Sequence, residues 1–175
     1  MTPTGENKAA EYALTEDQAS WLAGIVQFPQ EMRAEVLSAM LEREGPQAIV
    51  NAFAGFIGLA NSVAENCRDW LELAGMLHAD LGPYEAEKIN CPTIFGALMG
   101  VRLAKHGCAE ACAGCAFRLG TAANQSPCTT DDADWCGHPG EQPFMCHEDI
   151  DEAGEPTKIC KGWLKLRQER KRESA

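Results

Sequence analysis

The sequence predicts a mostly α protein: an N-terminal helical bundle, an irregular cysteine-rich module, and a short closing helix. Three observations predict it. Apolar residues recur at helical spacing through most of the first 106 positions. From Gly120 to Pro156 neither a helical nor a strand period is sustained, and Gly, Pro, Asn, Asp and Ser are dense. Seven of the nine cysteines lie between Cys108 and Cys160, within the part that buries too little apolar surface to order itself.

Residues 1–14 carry no apolar period and read as a flexible leader. Thr15-Glu16-Asp17-Gln18 is a capping box that opens a helix through Trp21, Leu22, Ile25 and Val26. Pro29 sits at a first-turn position, and Met32, Val36, Leu37, Met40 and Leu41 follow at helical spacing. Gly45-Pro46 closes that helix and starts the next.

The helix from Pro46 to Ala64 is the most hydrophobic, with Phe53, Phe56, Ile57, Leu59 and Val63 spread over more than one stripe. That spread predicts the central buried element. Gly55 and Gly58 suit a close helix crossing. A further helix is expected over 68–79, stopped by Leu81-Gly82-Pro83. The last amphipathic candidate is 92–106, with Ile94, Leu98 and Val101 in register and Arg102 and Lys105 near its C-terminal end. The acidic helical bundle thus spans 15–106, the cysteine module 107–163, and a basic helix or tail 164–175.

Charge narrows the function classes. The chain has 175 residues and a net charge of −11. That opposes broad binding to nucleic acid, which needs a basic surface. Only the tail is basic, through Lys165, Arg167, Arg170, Lys171 and Arg172, so nucleic acid is expected only there and a protein partner is expected elsewhere. No apolar run reads as a membrane span, and the N-terminus lacks the basic and apolar regions of a signal peptide. The expectation is a cytoplasmic protein, where cysteines serve as metal ligands or buried thiols more than as disulfides.

Cys112-Ala113-Gly114-Cys115 is a C-x2-C knuckle whose small middle residues let the backbone turn both sulfurs to one side. A closed four-coordinate site needs two more ligands. Cys146 and Cys160 are the first candidates, each beside an aromatic residue, Phe144 or Trp163, that would shield a site from water. Cys108, Cys128 and His147 are in reserve. One knuckle followed by widely spaced thiols suits a [4Fe–4S] cluster, whereas a zinc ribbon shows a second knuckle. Zinc remains the alternative. Cys67, Cys91, His78 and His106 read as structural, and Gly137-His138-Pro139-Gly140 as a turn. Arg118 either offsets the charge of a thiolate centre or pairs with an acid.

Several known patterns share pieces of this spacing. The knuckle, the later cysteines and Gly162-Trp163 are similar to high-potential iron–sulfur proteins, although Gly-Trp here follows the last cysteine. The closer set is Cys112-x2-Cys115-Ala116-Phe117-Arg118, Gly120-Thr121-x2-Asn124, Phe144-x-Cys146-His147 and Cys160-x-Gly162-Trp163. It resembles small cysteine-rich proteins of phage and prophage genomes whose role is undefined. The resemblance covers residues 112–163 and implies that Cys112, Cys115, Cys146 and Cys160 form the site.

No Gly-rich phosphate loop, Gly-x-Ser-x-Gly elbow or His-Glu-x2-His is present, so catalysis is not expected. The expected function is binding or regulation by a protein whose module is ordered by a metal centre, with redox sensing if that centre is [4Fe–4S]. The alternatives are a structural zinc module for protein or nucleic-acid recognition, and an electron-transfer or cluster-dependent enzyme subunit.

Overall fold

A computed structural model describes residues 14–81, 91–107, 112–146 and 149–174, and helices dominate it. The leader before residue 14, Gly82-Pro83, Cys108 and His147 lie outside the described residues.

Helix α1, Glu16–Gln27, starts at the expected capping box: Gln18 donates its amide to the Thr15 hydroxyl at 3.2 Å, and the Thr15 amide donates to the Gln18 side chain at 3.0 Å. Helix α2, Gln30–Glu44, follows Pro29. Its Arg33 donates to the carbonyls of Phe28 and Val26, satisfying acceptors left open at the end of α1. Gly45, at φ +82°, supplies the left-handed residue that ends α2 before Pro46.

Helix α3 is one continuous element, Pro46–Leu81, not the two helices expected. The apolar pattern pauses at Glu65-Asn66, but no Gly or Pro there breaks the backbone, so the helix runs on. Nor is α3 the central buried element. It buries one stripe through Ala52, Leu59, Ser62 and Val63, while Val50 (60%), Phe53 (62%) and Ile57 (48%) face solvent. By length and composition alone, Pro46–Met76 is long and apolar enough to cross a bilayer.

The centre is instead the short α4, Ile94–Ala104, capped by Thr93, whose hydroxyl accepts from the Gly96 amide at 3.0 Å. It packs against α1, α3 and two helices beyond the first cysteines, α5 (Ala122–Gln125) and α6 (Pro127–Cys136). Two cores meet along it. Ala97 and Leu98 join Ala19, Leu22, Leu59 and Val63 in one; Leu103 joins Phe117, Cys115, Cys160, Trp163 and Leu166 in the other. A Cβ on Gly96 would strike the Gln125 carbonyl, and one on Gly100 the Asn124 carbonyl. Only glycine lets α5 lie this close.

Helices α5 and α6 occupy part of the stretch expected to be irregular. They lack an apolar period, and their start signals are polar. Thr121 caps α5, and Ser126 caps α6 with Pro127 in its first turn. A buried polar network fastens them. Asn124 donates to the carbonyls of Gly100 (2.9 Å) and Ala116 (2.6 Å). Gln125 donates to Ser62 (2.9 Å) and accepts from Asn66 (2.7 Å). These bonds tie α3, α4 and the knuckle loop into one body, satisfying groups that would be costly if buried alone. Among the described residues there is no strand, only the isolated antiparallel bridges Met145–Ile159 and Ile150–Pro156.

The closing helix α7, Lys161–Glu173, begins three residues before the expected start at 164. Arg170 fixes it to α6 by donating to the Asp134 carbonyl (2.6 Å) and carboxylate (2.5 Å), and Trp163 donates its indole N–H to the Cys136 carbonyl (2.8 Å). Part of the basic tail is therefore spent inside the fold.

Candidate metal centre

Three local structures bring cysteines to one place. The first is the knuckle: a turn in which the Cys115 amide donates to the Cys112 carbonyl at 3.2 Å. Thr121 braces it, its hydroxyl donating to the Cys115 carbonyl at 2.9 Å. The second is the pairing around Met145 and Ile159. There the Cys146 amide donates to the Lys158 carbonyl (2.8 Å) and the Cys160 amide to the Phe144 carbonyl (2.9 Å), so Cys146 and Cys160 lie on neighbouring strand-like segments. The third is the start of α7, where Cys160 is the N-cap residue.

Cys112, Cys115, Cys146 and Cys160 line a single cavity of about 360 Å³, together with Lys158 and Lys161. The Cys115 and Cys160 sulfurs are 3.9 Å apart and both residues are buried; Cys112 and Cys146 are half-buried. The Phe117 amide donates to the Cys115 sulfur at 3.4 Å, the kind of bond that steadies a thiolate. Without a metal, the sulfur–sulfur contact with Cys160 and burial push the Cys115 thiol far above its ordinary pKa. It is then a neutral thiol, and any metal taking its place must displace that proton.

The walls explain the cavity's position. Phe117 is 1% exposed and meets Phe144 edge-on at 6.2 Å between ring centroids. A Cβ on Gly162 would overlap the Phe117 ring, so glycine is what allows α7 to start against the knuckle. Phe144 and Trp163 both pack into this second core, as their sequence positions suggest.

The donor set fits a thiophilic metal centre. Four cysteines line one space, an amide already points at the sulfur of one of them, and Lys158 and Lys161 line it too, together with the Asp149 that pairs with Lys158. Among the described residues no three His, Cys, Asp or Glu side chains converge on one ion-sized position.

The remaining candidates stand elsewhere. Cys128 is exposed in the first turn of α6 and does not line the cavity. Cys136, at the end of α6, is raised in pKa by burial and by Asp132 and Glu141. Cys67 is half-buried and donates its S–H to the Pro92 carbonyl at 2.9 Å; burial, then Cys91, raises its pKa. His138 lies in the expected turn, its ring 6.3 Å from that of Trp135. Arg118 does not line the cavity. Lys158 and Lys161 do, although the sequence analysis placed neither at the site. Their flanking positions around Cys160 were the available signal. Lys158 also pairs with Asp149 at 2.6 Å.

No protein-family model, no curated protein and no solved structure matches the chain.

Proposed function

We propose that this is a metal-centre protein in which Cys112, Cys115, Cys146 and Cys160 hold a [4Fe–4S] cluster that orders the C-terminal module. One observation carries the reading: the knuckle pair Cys112 and Cys115 and the later Cys146 and Cys160 line one cavity of about 360 Å³. A cluster takes each thiolate on a separate iron, so its ligands surround a volume without meeting at a point. When bound, the cluster supplies a reversible one-electron centre, and its loss would free the knuckle, the paired segment and the start of α7 together. The reading is regulatory: a protein of a reducing compartment whose module changes its order, and its contact with a protein partner, as redox state changes.

Zinc is the second reading, favoured by one distance. Two sulfurs on one tetrahedral zinc are about 3.8 Å apart, from a bond of about 2.3 Å. The Cys115–Cys160 separation is 3.9 Å. A structural zinc site would make the module a constitutive recognition surface.

Anaerobic purification, visible absorption and metal analysis separate the two. Broad absorption at about 400 nm with about four irons per chain supports the cluster. A colourless protein with about one zinc per chain supports the second reading. A colourless, metal-free protein that stays folded overturns both.

A further inference from the structure

Helix α3 carries a second apolar stripe that the fold leaves uncovered. Val50, Phe53, Ile57, Ala60 and Ala64 follow one another in alternating steps of three and four residues, the spacing of a coiled-coil seam. Val50, Phe53 and Ile57 are 60%, 62% and 48% exposed, Ala64 is exposed and Ala60 half-buried. The stripe lies on the far side of the helix from Ala52, Leu59 and Ser62, which are buried.

We infer that this stripe pairs with the same stripe of a second copy, antiparallel and centred on Ile57. Two observations select that occupant. The first is charge. On a chain of net charge −11, Pro46 to Ala64 contains no Asp, Glu, Lys or Arg. A partner recognised through charge finds nothing to read there, whereas two neutral faces meet without repulsion. The acids Glu65, Asp69 and Glu72 begin where the stripe's neutral half ends. Antiparallel crossing at Ile57 keeps the two Glu65 residues roughly 24 Å apart along the axis, at 1.5 Å per residue. Parallel pairing would place them side by side.

The second observation is size. Centred on Ile57, the crossing sets Val50 of one copy against Ala64 of the other, and Phe53 against the Ala60-Asn61 step. Large residues meet small ones along the seam, and the contact is isologous, as a two-fold dimer requires. A bilayer is the less suited occupant. Helix α3 is held by Ser62 and Asn66 to Gln125 and packs on α4, against which α1 also packs, with Glu16 of α1 paired to Lys105 at the surface. Membrane depth would take those charges with it.

A face one helix wide buries less than the about 800 Å² per partner of a standard interface, so the dimer is weak and needs high protein concentration. The test is sedimentation equilibrium of the full chain, purified anaerobically and kept under reductant, up to hundreds of micromolar. The expected result is an apparent mass rising toward twice the 19.0 kDa of the chain. Ile57→Glu, which places two carboxylates against each other, should hold the mass at one chain. Leu71→Glu, outside the antiparallel overlap, should leave the rise intact. Circular dichroism melting checks that Ile57→Glu folds; if it does not, Phe53→Glu, at the most exposed position of the stripe, takes its place. A wild-type monomer at every concentration overturns the inference, as does a dimer indifferent to these glutamates. Flotation of the wild type, but not of the glutamate variant, with phosphatidylcholine–phosphatidylglycerol vesicles overturns it in favour of a bilayer.

Discussion

The sulfurs of Cys115 and Cys160 lie 3.9 Å apart although 45 residues separate them in the chain. Local turns cannot arrange that. It requires the knuckle to dock on α4 through Asn124, and α7 to dock on the knuckle through Gly162 and Trp163. The two cysteines therefore report whether the module is assembled.

On the proposed reading, replacing either one empties the centre. Cys115→Ser and Cys160→Ser are expected to lose at least most of the bound metal, with exposure of Trp163 visible as a change in tryptophan fluorescence. Cys128→Ser, altering an exposed residue away from the cavity, should keep full metal content. Metal analysis on the three proteins purified in parallel decides it. Equal loss in all three would refute the assigned ligand set.

Gly162 should tolerate no side chain. A Cβ there meets three atoms of Phe117, which is itself 1% exposed and has nowhere to move. Gly162→Ala is expected to cost about 1–3 kcal/mol by overpacking. Gly140→Ala, in open space but at φ +93°, costs only backbone strain and should leave metal content untouched. Urea midpoints with metal analysis separate the two: only Gly162→Ala should lower both.

Asn124 is the polar link between bundle and knuckle. It is 0% exposed, and truncating it leaves the Gly100 and Ala116 carbonyls buried without that donor. Asn124→Ala should cost about 2–4 kcal/mol, counting roughly 1–3 for each carbonyl and partial relaxation. For a chain of this size that is a fall in Tm of about 4–16 °C. Asn61→Ala, on the exposed face of α3, should stay within about 0.5 kcal/mol. A thermal melt showing equal, small effects would mean that the network contributes little.

What was legible in the sequence was either local or chemical. The Thr15–Gln18 capping box needs only four residues and stands as expected. Cys112, Cys115, Cys146 and Cys160 could be named as candidates because few residue types ligate soft metals, although the cavity they share depends on contacts that no spacing encodes. The helices α5 and α6 were not, since their buried residues are mostly polar, Asn124, Gln125 and Thr130, and give no apolar period. The centrality of α4 was hidden for a related reason. Its buried face is read by Gly96 and Gly100, and a glycine reveals its role only when the backbone lying against it is known. The exposure of Phe53 and Ile57 on α3 was not legible either, because apolar side chains are common at protein surfaces and their number does not say which face is buried.

His106 sets an acid limit on stability. It is 6% exposed, and its Nδ1 lies 2.8 Å from a Glu169 carboxylate oxygen, off the line of a good hydrogen bond. Burial lowers its pKa; Glu169 and Glu16 pull it up, and Lys105 pushes it further down. The net direction is below the ordinary 6.5. The unfolded chain therefore takes up this proton first as pH falls. Its contribution is fully present above about pH 6.5 and is lost progressively below it, levelling off once the folded protein protonates too. His106→Leu removes that linkage while shared titrations of the cysteines and carboxylates cancel in the comparison. Urea midpoints of the two proteins from pH 8 to pH 5, written as a difference, should show the wild type losing ground to His106→Leu below about pH 6.5. If the wild type gains ground on acidification, the pairing of imidazolium with Glu169 outweighs burial, and the sign argued here is wrong.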